Sequence, residues 1–98
     1  MSFQGTTGKI KLLRTNEVGH IWGPPNYAMT TEVTIVLDMA PDMGFGFVLR
    51  AGDDNLPSRL AMLSMLRDAY IHNLTIGIAY ETVEGKKNGQ LKRVEFTK

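Results

Sequence analysis

Few residues in this 98-residue chain have the type and spacing that chemistry requires. Its two histidines, His20 and His72, stand far apart in a chain without cysteine, so no zinc-ligand spacing exists. No serine or acid has the adjacent base and orienting group that activate a nucleophile. Asp53-Asp54 precedes a stretch that reads as a helix start, where negative charge complements the helix dipole. The expectation is therefore a non-catalytic chain with no metal and no cofactor. Binding chemistry is what remains. Trp22, with His20 before it and Tyr27 beyond a proline turn, offers flat apolar rings with polar edges, which suit the face of a sugar. Lys86 and Lys87, in a Gly-Lys-Lys-Asn-Gly loop, could meet phosphate or an anionic glycan. Gly44-Phe45-Gly46-Phe47-Val48 could let bases approach and stack on its rings. Each pattern also has a plainer reading, which we prefer. A lone tryptophan anchors a core, a lysine loop is a solvated turn, and Phe45, Phe47 and Leu49 at period two form a buried face.

Composition narrows the partners. Eleven basic against ten acidic residues leave a formal net charge of +1, so the long-range pull on phosphate polymers is weak. The length fits one domain with one core, spanning 1–98. A domain this small buries only about 60–70% of the surface its unfolded chain exposes. With disulfides and metal set aside, association with further copies is the expected source of extra stability. Residues 1–8 are polar and glycine-rich and read as a flexible start without the apolar run of a secretory signal. No stretch approaches the ~20 apolar residues of a membrane span. A chain with neither signal nor cysteine is expected in the cytoplasm, although a secreted mature chain with its signal already removed would read the same.

The elements that must position these residues follow from periodicity. Ile10 and Leu12 alternate with Lys9 and Lys11, and the alternation resumes at Val18, His20 and Trp22, so a first strand bent near Gly19 is predicted. Val33, Ile35 and Leu37 mark a second strand over 31–38, with Glu32 and Thr34 on its polar face. Ala40-Pro41-Asp42-Met43-Gly44 reads as the turn into a third strand over 45–50. Pro57 in a first turn, then no glycine or proline up to Asn73, predicts a helix over 56–73 with Asn55 or Ser58 as its cap. Leu74, Ile76, Ile78 and Tyr80 predict a fourth strand. Asn88-Gly89 is a turn signal, and alternation over 91–97 predicts a fifth strand with Leu91, Arg93 and Glu95 on one side.

Three strands, one helix and two strands is the order of the OB-fold, a five-stranded Greek-key barrel with its helix between strands 3 and 4. Over residues 63–70, 74–81 and 89–94 the chain resembles the OB-fold B subunits of bacterial toxins that set one A chain on five B chains, the subtilase-type cytotoxin among them. That resemblance implies a homo-oligomeric ring, a pentamer in the family, with the helix towards its centre and a glycan or protein as ligand. The Gly-Phe-Gly-Phe-Val run resembles the aromatic ribonucleoprotein motif of RNA-recognition and cold-shock domains, which implies the alternative of a single-stranded nucleic-acid binder. On the helix, Met62, Leu63, Met65, Leu66, Ala69 and Tyr70 project to one apolar face. Leu60, Ser64, Arg67, Asp68 and Ile71 form a stripe off that face, read as a subunit interface.

Overall fold

The computed structural model describes residues 2–18, 21–22, 29–82 and 87–97, with backbone alone at Ser2, Ile21, Trp22, Met29 and Thr30. In chain order the elements are β1 (Ser2–Thr15), β2 (Ile21–Trp22), β3 (Met29–Thr30), β4 (Val33–Leu37), β5 (Ala40–Phe47), α1 (Leu56–His72), β6 (Thr75–Thr82) and β7 (Gly89–Glu95). Five of the strands close into a barrel in the order β1-β4-β5-β7-β6, while β2 and β3 pair separately. β5 and β7 run parallel and the other neighbours antiparallel. This is a mainly β, OB-fold-like barrel with one helix between its third and fourth strands, as the element order implied.

Val33, Ile35 and Leu37 from β4, Phe45 and Phe47 from β5, Ile76, Ile78 and Tyr80 from β6, and Leu91 and Val94 from β7 fill the interior. Phe45 meets Tyr80 edge-to-face at a centroid distance of 4.7 Å, an arrangement that suits the ring quadrupoles. α1 packs on β1 and β7 and sends Leu66 and Ala69 into the core, with Met62, Leu63 and Met65 beside them. Its C-cap is Asn73, in the left-handed conformation at φ 55°, which asparagine tolerates better than most residues. Asn55 is the N-cap but makes no side-chain cap bond. Asp53 works there instead: its Oδ1 accepts from the Asn55 N–H at 2.8 Å, and its Oδ2 pairs with Arg59 at 2.8 Å.

Several boundaries differ from the sequence reading, each for a physical reason. Residues 2–8, read as a flexible start, are strand: Ser2 to Lys9 pair along β6. β1 ends at Thr15 and does not run on to Trp22, which belongs to the separate β2–β3 ladder. Gly19 lies outside the described residues. The turn between β4 and β5 falls at Asp38-Met39, not at 40–44. Leu37 pairs with Ala40 and Ile35 with Phe45, so Pro41 to Gly44 bulge out of the ladder and the proline's missing N–H costs no ladder bond. Tyr70, placed on the core face of the helix, is half exposed.

Asn88-Gly89 is more than a turn. The Asn88 side chain is buried and its Oδ1 accepts from the Gly44 N–H at 2.8 Å, satisfying a donor that the bulge leaves out of the β4–β5 ladder. Gly89 opens β7 beneath the Tyr80 ring, where an added Cβ would stand 2.7 Å from a ring carbon. Two outcomes are expected from equilibrium urea unfolding. Phe47→Ala should cost about 3–5 kcal/mol, the range for removing a buried aromatic ring, and Gly89→Ala about 1–3 kcal/mol through overpacking against Tyr80. A change below about 0.5 kcal/mol in either variant would contradict the packing described.

Candidate binding faces

In OB-folds the usual ligand surface is the outer face of the second and third strands with the two loops that flank it; here those strands are β4 and β5. Phe45 and Phe47 do not stand on that face, being 0% and 3% exposed in the core. The face itself is covered in its middle, where Thr34 pairs with Gly46 and both are buried. The stacking reading of the Gly-Phe-Gly-Phe-Val run therefore loses its rings.

The residues that sequence singled out are distributed unevenly. His20, Tyr27 and Lys86 lie outside the described residues, and Trp22 is described in its backbone alone. Lys87 is half-buried just before β7. Leu60, Ser64, Arg67, Asp68 and Ile71 all lie on the solvent side of α1. Leu60 is 49% exposed and Ile71 65%, and Tyr70 joins them at 48%. Among the described residues neither Arg67 nor Asp68 takes part in an ion pair.

Two features were hidden from the sequence. The first is Glu32, which alternation placed on a polar outer face but which is buried. Its Oε1 accepts from the Leu49 N–H at 2.7 Å and pairs with the Arg50 guanidinium. Its backbone N–H donates to the Phe47 carbonyl at 3.2 Å, and its carbonyl accepts from Asn16 N–H at 2.8 Å. One residue thus ties the start of β4 to the end of β1 and to the segment that leads from β5 into α1. The opposite charge and the backbone donor both meet Oε1 and offset part of the cost of burying the carboxylate, while Oε2 is buried without a hydrogen-bond partner among the described residues. The sequence carries one trace of this, a basic residue, Arg50, closing the run that begins at Phe45.

The second is a groove of about 470 Å³ across the outside of β1, β6 and β7. The outward row of β1 is Phe3, Gly5, Thr7 and Lys9, opposite Glu81, Ala79, Gly77 and Thr75 of β6. Arg93 lies beside Ala79, and Glu95 beside Gly77. Small side chains keep the floor low. An added Cβ at Gly77 would come within 3.0 Å of the Glu95 side chain, which leans across it. Arg93 Nε and Glu95 Oε1 meet at 3.2 Å on the exposed rim. Thr97 donates to Glu95 Oε2 at 3.3 Å.

Periodicity alone does not deliver this rim. Ala79 pairs with Arg93 but Tyr80 pairs with Leu91, so Lys92 is an extra residue and β7 bulges there. The bulge lets Leu91 and Val94, three apart, both face the core, while Arg93 and Glu95 face the groove. Strict alternation had grouped Leu91 with Arg93 and Glu95.

No family model matches the chain, and neither a curated protein nor a solved structure matches it. Among the described residues no group of three or more His, Cys, Asp or Glu side chains is placed to hold a metal ion, and no helix is long and apolar enough to cross a membrane. Glu32→Ala should lower stability by about 1–3 kcal/mol, because the Leu49 N–H loses its acceptor in partly buried surroundings. Urea unfolding of this variant checks it, and an unchanged midpoint would show that the Glu32 contacts contribute nothing net.

Proposed function

We propose that this chain is a non-catalytic, self-associating OB-fold-like module, a ring-forming scaffold that presents its loops to a glycan or protein. The observation that supports this most is the outer side of α1. Leu60, Tyr70 and Ile71 stand about half exposed or more along one helix of a small barrel without cysteine, with Ser64, Arg67 and Asp68 among them. Isolated exposed apolar residues are ordinary. Three on one helix, repeated in every copy, make a surface that association would bury, each side chain contributing up to about 1.5–3 kcal/mol when fully covered.

The alternative, a single-stranded nucleic-acid binder, rested on rings at Phe45 and Phe47, and both are in the core. Only Trp22 and the loop at Lys86 and Lys87 would be left to it. Binding of single-stranded DNA and RNA at two salt concentrations separates the readings. Phosphate-driven affinity must fall steeply with salt, so tight and salt-sensitive binding would favour the alternative. A glycan array is the matching search for the preferred one.

Self-association has its own test. At tens of micromolar the protein should sediment above the monomer mass, and Ile71→Asp should release smaller species, since each copy would then bring an uncompensated charge to a desolvated contact. A wild-type monomer, or an Ile71→Asp variant with the parent's mass and melting temperature, would refute the proposal.

A further inference from the structure

We infer that the groove across β1, β6 and β7 receives helix α1 of another copy of this chain, so that self-association joins two different faces of the molecule, helix to groove. The inference rests on the self-association reading above and deepens it by naming the surface that the helix meets.

The occupant must come from another molecule. α1 is held against its own β1 and β7 by Met62, Leu63, Leu66 and Ala69, and its stripe faces away from the barrel. The helix cannot turn that stripe into its own groove without leaving the core. A second copy supplies the same stripe with nothing to unfold.

Size and charge agree. From Leu60 to Ile71 the stripe runs ~16 Å at about 1.5 Å per helical residue. The outward row of β1 from Phe3 to Lys9 runs ~20 Å at about 3.3 Å per strand residue. The floor at Gly5, Thr7 and Gly77 carries no large side chain of its own, and Glu95, whose side chain leans across Gly77, stands where the helix brings Arg67. Phe3 stands exposed at one end of the row, an apolar partner for an end of the stripe. Arg67 and Asp68 lie in the middle of the stripe without an ion-pair partner among the described residues. The groove rim carries the complementary pair, Glu95 and Arg93. Arg67 meets Glu95 and Asp68 meets Arg93, which converts one exposed pair into a four-charge network that fixes the register of helix on groove. A contact between two unlike faces closes into a ring when the rotation between copies allows it.

Charge reversal tests the pairing. Arg67→Glu, Glu95→Arg and the double variant are compared with wild type by sedimentation velocity, with circular dichroism and thermal melts to establish folding. Thr7→Trp adds a groove-filling change at an exposed position that the core does not use. Each single variant should shift at least half of the protein to smaller species at a concentration where wild type is assembled. The double variant should recover the parent's mass, and Thr7→Trp should dissociate without losing its fold. A double variant that stays small, or Glu95→Arg and Thr7→Trp proteins that keep the parent's mass, would overturn the inference. If those two groove variants stay assembled while Ile71→Asp dissociates, the helix-to-groove pairing fails and self-association stands. A monomeric wild type removes both.

Discussion

Closure of the barrel depends on one strand changing partners. β1 runs along β6 from Ser2 to Lys9 and then along β4 from Ile10 to Thr15. At the exchange, Asp38 takes both backbone groups of Lys9: its Oδ1 accepts from the Lys9 N–H at 2.9 Å, and its own N–H donates to the Lys9 carbonyl at 2.8 Å. Gly8 must be a glycine for this to fit, because a Cβ there would lie 2.8 Å from the same carboxylate oxygen. A register shift between Ile10 and Leu12 completes the bend. If β1 stayed with β6, the sheet would open between β1 and β4 and leave two unpaired edges, the condition that invites strand addition by other chains.

The same geometry decides which outer surfaces are available. Because the first half of β1 lies beside β6, which pairs in turn with β7, the outward sides of the three strands join in one continuous face, and the small residues Gly5, Thr7 and Gly77 make that face a groove. On the other side of the barrel the exterior of β4 and β5 is covered at Thr34 and Gly46, and Glu32 is drawn inward by Leu49 and Arg50. The strand pair that usually serves as a ligand platform in this architecture is buried in its middle here, and the open groove lies across β1, β6 and β7.

The interior was legible from the sequence because it obeys the period of its elements. Val33, Ile35 and Leu37 alternate without interruption, and Leu66 and Ala69 fall on one helical stripe. What the sequence concealed is every place where two elements interrupt each other's period. Pro41 looks like a turn because proline cannot donate to a ladder, yet the bulge opposite Val36 demands no donor there. Asn88-Gly89 looks like a hairpin turn, yet Asn88 serves a distant N–H at Gly44 and Gly89 makes room for Tyr80. Residues 2–8 lack apolar periodicity because Gly5 and Thr7 follow Phe3 on their outward face and their inward face includes Gln4, which accepts from the Tyr80 hydroxyl at 3.1 Å. Composition alone cannot separate such a strand from a flexible tail.

The candidate surfaces divide along the same line. The helix stripe was visible because its exposed apolar residues break a pattern that the core face had already explained. The groove was not, since it is made of residues that sequence reading treats as neutral and owes its charged rim to one extra residue at Lys92. That single insertion in β7 exchanges faces: it keeps Leu91 and Val94 in the core and turns Arg93 and Glu95 outward together over Gly77. A bulge interrupts a ladder and leaves a residue unpaired, so a strand that keeps one here sets the orientation of its side chains above the regularity of its hydrogen bonds. The interruption that defeats sequence alternation is therefore the feature that builds the rim.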